Sequence, residues 1–333
     1  MAGSGRTLLQ ALEYWGKEQP EKVLHTFLDD HGAEIEQLTY KSLMEKSGAL
    51  AAHMLAPTSQ KGLGLSPGER VLLVYPPSLD FMVAFYACVR ARLIAVPVFP
   101  PDPRKAKKDL YLFTAIQGSS GARVALTNKT YDFAKKLGGI KSFLASSSNT
   151  GSQSWPEMTW VTSDTVVDNA LASAAGATDA FMSLGFEPVD MNAPAFLQFT
   201  SGSTSDPKGV IITHSNLAHN LDLIVTGLTA SDDTVVVSWL PLYHDMGLIG
   251  SYLGAMYCGG SGFYMSPLSF IRSPTLWVRM ISKHRGTHMQ APNFAYGLVA
   301  RKFLELRPAP VLDLSCVRHM INAAEPVRWF DIE

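Results

Sequence analysis

A run of small and hydroxyl residues followed by a lysine has the composition of a polyphosphate-binding loop. It reads Thr200-Ser201-Gly202-Ser203-Thr204-Ser205-Asp206-Pro207-Lys208-Gly209 and lies between two strand-like apolar runs, Ala195–Phe199 and Val210–Thr213. A loop without bulky side chains lets backbone N–H groups approach an anion, while the hydroxyls and the lysine add hydrogen bonds and positive charge. It is not a Walker A loop, which has a glycine before the lysine and a hydroxyl residue after it. A surface linker is the alternative, but Pro-Lys-Gly and the flanking strands favour phosphate binding.

The segment that follows this loop is unusual in charge. From Gly209 to Ile271 there is no lysine or arginine, and the only acidic residues are Asp222, Asp232, Asp233 and Asp245. Because charged side chains are rarely buried, a segment so poor in them is expected to be buried or to line a cavity. A thick core and a deep apolar binding site explain the pattern equally well.

The phosphate-loop run resembles that of the adenylate-forming superfamily, which includes acyl- and aryl-CoA synthetases, luciferases and peptide-synthetase adenylation domains. The usual form there is Ser/Thr-Ser-Gly-Ser/Thr-Thr-Gly-x-Pro-Lys-Gly. This sequence departs from it at Ser205, where glycine is common. If that position requires a positive φ, a serine there would be strained.

Four further runs resemble one branch of that superfamily, the fatty acyl-AMP ligases, and follow the expected order along most of the chain. They are Val96–Pro103, Trp239–Gly250, Ala291–Tyr296 and Ile321–Val327. In the last run, Ala323 stands where glycine is usual, so its methyl group could tighten or impair an adenine site.

The resemblance assigns roles by matching position to motif. The residues implied to hold the β- and γ-phosphates of ATP are Thr200, Ser201, Gly202, Ser203, Thr204, Lys208 and Gly209. Those implied to flank the adenine and the α-phosphate are Asn322, Ala323, Ala324, Glu325 and Pro326. Those implied to bind the acyl group are Trp239, His244, Met246, Gly247 and Gly250.

His244 is the one residue to which the resemblance gives a catalytic role, steadying the acyl carboxylate as it attacks. A single histidine in an apolar run is more often a structural residue, and only the surrounding motif favours the functional interpretation. Asp245 is expected to fix His244 or to cap the following helix rather than to act as a base. His214 is expected to be structural or to cap a helix.

The reaction implied is ATP-dependent activation of a long-chain fatty acid to an acyl-adenylate, for transfer to a carrier-protein thiol. The resemblance therefore implies ATP and Mg²⁺ as cofactors, and a fatty acid and an acyl carrier protein or synthase carrier domain as partners. Binding of a long acyl chain would explain the apolar character of the cation-free segment, since burial of each methylene contributes about 0.8 kcal/mol to binding. Transfer to coenzyme A, and a non-catalytic lipid- or nucleotide-binding module, are the alternatives.

Alternating short apolar runs and helix-like segments predict an α/β fold with mostly parallel sheets covered by helices. Buried strands are predicted at Arg70–Tyr75 and Leu93–Val98, and a helix at Asp80–Ala91. The predicted organisation is a first α/β subdomain over residues 1–190 and an incomplete second subdomain over residues 191–333. The chain is expected to be the N-terminal portion of a longer enzyme that lacks its C-terminal lid domain, and to be inactive or weakly active alone.

Composition and charge narrow the kinds of partner, metal site and location that the protein can have. A formal charge of −1 gives no general attraction to nucleic acid or to anionic membranes. Cys88, Cys258 and Cys316 lack the close spacing of a zinc site or a disulfide framework, which predicts separate buried thiols, no protein-bound metal cluster and a cytoplasmic location. The most apolar candidate for a membrane span, Val235–Tyr257, carries Pro241, His244 and Asp245, so no transmembrane segment is predicted.

Overall fold

The computed structural model describes residues 5–102, 106–145, 155–173, 178–200, 207–308 and 310–327. The chain divides into two compact units. Residues 42–216 form one, called here the continuous unit, and residues 1–41 with 217–333 form the other, called the discontinuous unit. This division differs from the predicted split at residue 190, because strands on both sides of that residue belong to one sheet.

The helices alternate with strands along most of the chain, and two segments depart from α-helical geometry. A short 3₁₀ turn covers Thr58–Gln60, and Met246–Leu253 is π-helical. The α-helices are α1 (Leu8–Glu18), α2 (Tyr40–Leu55), α3 (Asp80–Arg90), α4 (Ala106–Ser120), α5 (Lys129–Ala145), α6 (Ser163–Ser173), α7 (Thr178–Ser183), α8 (His214–Gly227), α9 (Gly254–Tyr257), α10 (Pro267–Arg272), α11 (Pro274–His284) and α12 (Asn293–Leu304).

The strands form two six-stranded sheets within the described residues. They are β1 (Val23–Leu28), β2 (Glu34–Thr39), β3 (Arg70–Leu73), β4 (Ile94–Pro97), β5 (Val124–Thr127), β6 (Thr159–Thr162), β7 (Pro194–Thr200), β8 (Lys208–Thr213), β9 (Val235–Ser238), β10 (Ser261–Met265), β11 (His288–Pro292) and β12 (His319–Ala323).

The sheet of the continuous unit has the order β6-β5-β3-β4-β7-β8, and every pair in it is parallel except β7 with β8. Alternate residues of β3 and β4 pack against two helices. Leu72 and Val96, for example, pack with Phe113 of α4 and Tyr131 of α5. Residues between them point to the opposite face. Because β3 and β4 are buried nearly throughout, they appear in the sequence as uninterrupted apolar runs, which confirms the two predicted strands.

The sheet of the discontinuous unit has the order β12-β11-β9-β10-β1-β2 and is parallel except for β1 with β2. Its core includes Trp239, Phe270 and Trp277, and the Trp239 and Phe270 rings stack with centroids 3.9 Å apart. Mostly parallel sheets and their helices confirm the predicted α/β class.

The carboxyl ends of β9, β11 and β12 meet at one edge of this sheet. Ligands of parallel α/β sheets bind in the crevice outside such an edge. Trp239–Gly250 follows β9, Asn293 follows β11, and Ala324–Pro326 follows β12. The fold therefore gathers three of the sequence runs singled out above, although they are widely separated along the chain.

Candidate active site

The residues flanking the predicted phosphate loop face each other in the continuous unit. Thr200 pairs with Lys208 in the β7–β8 ladder, and the Thr200 hydroxyl donates to the Lys208 carbonyl at 3.5 Å. Gly209 lies opposite Phe199, and a Cβ on Gly209 would come within 2.9 Å of that ring, so glycine leaves room for the aromatic side chain. Ser201, Gly202, Ser203 and Thr204, together with Ser205, lie outside the described residues.

His244 and Asp245 form a hydrogen-bonded pair at the carboxyl edge of the other sheet. His244 Nδ1 lies 2.7 Å from Asp245 Oδ1, and both side chains are more than half exposed. The hydrogen bond to Asp245 raises the pKa of His244, and the same bond lowers the pKa of Asp245. Asp245 also accepts the backbone N–H of Met246 at 2.7 Å, which caps the π-helical segment. The pair therefore supplies an accessible imidazole whose protonated form is favoured.

The π-helical segment Met246–Leu253 begins immediately after this pair. π-helical turns are rare and often occur at functional sites. Gln290 of β11 donates to the Met246 carbonyl at 2.9 Å and to the Ser251 hydroxyl at 2.6 Å. These two bonds join β11 to the segment that carries the predicted acyl-binding residues.

The two glycines predicted to bind the acyl group have different surroundings. Gly247 is buried, and a Cβ there would lie 2.2 Å from the Pro241 carbonyl oxygen. Gly250 faces Gln290, whose Nε2 would lie 2.7 Å from an added Cβ. Gly247 therefore permits close backbone packing, whereas Gly250 leaves space beside a polar side chain.

The predicted adenine segment is fastened to the start of α12. Asn322 donates to Asn293 Oδ1 at 2.8 Å, and the backbone N–H of Phe294 donates to Glu325 Oε1 at 2.6 Å. The Glu325 carboxylate therefore caps an otherwise free N–H of α12. Ala324 has a φ of 68°, in the left-handed region, which turns the chain directly after β12.

A cleft of about 440 Å³, called here the outer cleft, brings the second and third sets of predicted residues together. The predicted residues that line it are His244, Met246, Gly250, Ala323 and Ala324. Trp239 instead lies in the core at 5% exposure, and Glu325 and Pro326 are exposed. The cleft therefore places a histidine beside the backbone turn that follows β12.

A second, small cavity of about 20 Å³, called here the inner cavity, adjoins the outer cleft. The two share Ile224, Gly250, Gln290 and Ile321 in their linings. The rest of the inner lining is mainly apolar and includes Val225, Leu228, Val236, Ala255, Cys258 and Met289. Much of this lining comes from the cation-free segment, which therefore contributes both to the buried core and to the wall of this cavity.

Sequence reasoning did not identify several residues that line the outer cleft. They are Asn220, Ile224, Ile249, Gln290 and Ile321, with Asp245 anticipated only as a support for His244. Asn220 and Ile224 are four residues apart in α8 and so lie on one helix face. Gln290 was detectable in principle, since a glutamine inside an apolar strand is unusual.

The cysteines, the potential metal ligands and the helix lengths bear on the remaining predictions. Cys88 and Cys258 are buried and free, whereas Cys316, also free, is partly exposed, so the prediction that all three thiols are buried is wrong for Cys316. Within the described ranges, no group of three or more His, Cys, Asp or Glu side chains is arranged to hold a metal ion. Among those same residues, no helix has the length and apolar character needed to cross a bilayer.

Comparison with known proteins finds a family match along nearly the whole chain. The model of the AMP-binding enzyme family matches residues 12–328. The medium-chain fatty acid–acyl-carrier-protein ligase JamA of Moorena producens is 34% identical over 98% of this chain and 51% of its own length. The long-chain fatty acid–AMP ligase FadD32 of Mycolicibacterium smegmatis is 30% identical over 97% of this chain and 48% of its own.

A solved structure of a fatty acyl-adenylate ligase has a similar fold. The fatty acyl-adenylate ligase of L. pneumophila, crystallised with acyl adenylate and pyrophosphate, superposes with a TM-score of 0.79 at 32% identity. The match covers 98% of this chain and 51% of that one. The chain therefore spans about half the length of the relatives that it matches.

Proposed function

Because the chain belongs to the AMP-binding enzyme family, we propose that it activates a fatty acid with ATP to form an acyl-adenylate. The acyl group is then transferred to the thiol of an acyl carrier protein. The observation that carries this proposal is the outer cleft, which joins His244 to the turn after β12 and adjoins an apolar cavity.

The proposed first step is attack by a carboxylate oxygen of the fatty acid on the α-phosphorus of ATP. The new bond joins that oxygen to the α-phosphorus, the bond between the α-phosphorus and the bridging oxygen to the β-phosphate breaks, and pyrophosphate leaves. Protonated His244 would orient the carboxylate by a charge-assisted hydrogen bond, and Asp245 favours that protonated form. Positioning and electrostatic stabilisation would supply most of the acceleration.

The nucleotide is proposed to occupy two sets of residues. The turn at Ala323 and Ala324 offers backbone beside His244, as an adenine and α-phosphate site would require. Lys208, exposed at the end of β8, is proposed to bind the β- and γ-phosphates together with Thr200–Thr204 and Gly209. This assignment accounts for the small and hydroxyl residues of the predicted phosphate loop.

The acyl chain is proposed to lie in the outer cleft with its methyl end toward the inner cavity. Ile224, Met246, Ile249 and Ile321 supply apolar surface along that direction. Burial of each methylene there would contribute about 0.8 kcal/mol. Such burial would favour a fatty acid over a small carboxylate.

Mg²⁺ is proposed to accompany ATP and to neutralise the charge of its phosphates. The ion usually keeps several waters and binds through substrate phosphates with one or two carboxylates, not in an all-protein cage. Cytoplasmic location stays a prediction from the sequence.

The first test measures binding of unreactive acyl-sulfamoyl adenosines to the 333-residue chain by calorimetry. A fatty acyl analogue should bind much more tightly than acetyl-sulfamoyl adenosine, and H244A should weaken binding of both. Gly227→Ala, at the exposed end of α8, is the matched control. Equal affinity for the acetyl and fatty acyl analogues would overturn the fatty acid assignment.

The second test follows the reaction. Fatty-acid-dependent exchange of pyrophosphate into ATP should be weak or undetectable for the 333-residue chain and strong for a form extended to the length of its relatives. Supplying the extended form with coenzyme A or with a holo carrier protein then identifies the acceptor thiol. Acylation of coenzyme A alone would contradict carrier-protein transfer.

A further inference from the structure

Gln290 occupies the boundary between the outer cleft and the inner cavity. It belongs to both linings, and the residue is 9% exposed. Its amide also lies directly across Gly250, because a Cβ on that glycine would be 2.7 Å from Nε2 and 2.9 Å from Oε1. A polar side chain thus fills the place where the two apolar spaces would otherwise join.

The position of this amide is fixed by a buried network. Nε2 donates to the Met246 carbonyl and to the Ser251 hydroxyl, and the Ser251 hydroxyl donates to Ser238 Oγ at 3.0 Å. Ser238 in turn accepts the backbone N–H of Leu240 at 3.2 Å. Ser238 and Ser251 are almost completely buried. Buried amides that lose their partners are costly, so the network holds Gln290 across the boundary.

We propose that Gln290 determines the length of acyl chain that the protein accepts, by separating the outer cleft from the inner cavity. This inference rests on the proposed function and names a specificity-determining residue for it. A chain that fits within the outer cleft leaves both hydrogen bonds of Nε2 intact. A longer chain must displace the amide from Met246 and Ser251 before it gains apolar contacts with residues such as Val236 and Met289.

Two substitutions at this position test separately the effect of the side chain's bulk and the effect of its hydrogen bonds. Gln290→Ala removes the barrier, whereas Gln290→Met keeps a side chain of similar length without the amide. The readout is the affinity of the 333-residue chain for acyl-sulfamoyl adenosines from hexanoyl to hexadecanoyl. In the wild-type protein, affinity should rise with length by about fourfold per buried methylene and then stop rising.

The expected result is that Gln290→Ala raises that limit by about two methylenes, because the inner cavity has room for only about one water and the rest of the space comes from the removed side chain. Gln290→Met should leave the limit close to the wild-type value. Ala230 lines only the inner cavity and is half-buried. Adding Ala230→Leu to Gln290→Ala should refill that cavity and cancel the shift. If Gln290→Ala does not fold, Gln290→Thr replaces it, since a β-branched residue suits a strand and is also shorter than glutamine.

The failures of the two proposals can be told apart. An unchanged length limit in folded Gln290→Ala or Gln290→Thr overturns the role of Gln290, while tight binding of fatty acyl analogues still supports the proposed function. A shift that persists with Ala230→Leu also overturns it, because the added chain would then lie elsewhere. Failure of the wild-type protein to favour fatty over acetyl analogues overturns the proposed function itself.

Discussion

His244 Nδ1 lies 2.7 Å from Asp245 Oδ1, and that same oxygen accepts the backbone N–H of Met246 at 2.7 Å. One carboxylate thus orients an imidazole and caps the π-helical segment. The shared hydrogen bond moves the two pKa values in opposite directions, upward for His244 and downward for Asp245. The geometry of the cleft and the charge of its histidine therefore depend on one side chain.

Asp245→Asn should lower the pKa of His244 toward its ordinary value, because the hydrogen bond to Asp245 is the main cause of the upward shift. A raised folded-state pKa means that the pair stabilises fully below the unfolded imidazole pKa and that this stabilisation is lost as pH rises through the folded value. Titration of the His244 ring by NMR measures the change. The control Asp232→Asn should leave the titration unchanged, and an unchanged His244 pKa in Asp245→Asn would show that the pairing is not formed in solution.

Gly247→Ala should destabilise the protein by about 1–3 kcal/mol, because the added methyl would overlap the Pro241 carbonyl and only a backbone shift could relieve it. Gly227→Ala is the matched control. Apart from the chain neighbours and the adjacent backbone of α8, no atom of the described residues lies within 4 Å of a Cβ at that position, so the substitution should be neutral or slightly stabilising. Urea unfolding measures both changes. Equal stability of the two variants would rule out the close approach of Gly247 to Pro241.

Glu325→Ala should cost about 1 kcal/mol of stability, since it removes the carboxylate that caps the Phe294 N–H at the start of α12. It should also weaken ATP binding, because Ala323 and Ala324 lose one of the ties that hold their turn. Glu305, exposed at the other end of α12 and paired with Lys302, provides the control. Glu305→Ala should change neither quantity appreciably, and an equal effect of both variants would exclude the capping role.

The sequence predicted some strands well because burial on both faces leaves a direct pattern. β3 and β4 fall within the predicted apolar runs, with ends that differ by at most two residues. The β1–β2 hairpin was not predicted, since β2 is an edge strand in which Glu34 and Glu36 interrupt any apolar run. The discontinuous unit was not predicted either. It depends on the parallel pairing of His25 with Gly262, and no local pattern encodes a partner so distant in the chain.

Prediction of the candidate site from the sequence meets the same limit, because a local pattern does not show which distant residues come together. Motif resemblance singled out His244 and Ala323, but only the parallel order of β9, β11 and β12 brings them to one cleft. Gln290 carries no motif, and its significance comes from its two hydrogen bonds and its contact with Gly250. Local composition can thus indicate chemistry, while the set of side chains that line the cleft depends on packing across strands.

His25→Phe should make the protein less sensitive to acid. His25 is fully buried between the rings of Tyr252 and Tyr264, and burial lowers its pKa to about 3. The unfolded chain therefore binds a proton that the folded protein excludes, so stability is complete above about pH 6.5 and falls as pH drops toward 3. Between pH 7 and pH 5 the loss from this residue should be about 2 kcal/mol. Exposed His31 provides the control, and an unaltered pH dependence in His25→Phe would show that His25 is not buried in its neutral form.

Lys208→Met should weaken ATP binding by roughly tenfold to a hundredfold, the amount expected from losing one charge-assisted contact with a phosphate. Lys208 lies opposite Thr200 where the β7–β8 ladder ends, so its charge stands at the predicted phosphate loop. Lys302→Met, which removes an exposed lysine of α12, should leave ATP affinity unchanged. Calorimetry at several salt concentrations tests the electrostatic origin directly, because the difference between Lys208→Met and wild type should shrink as salt screens the exposed charge. Wild-type affinity in Lys208→Met would refute phosphate binding by this loop, and a difference that does not depend on salt would point to a packing defect instead.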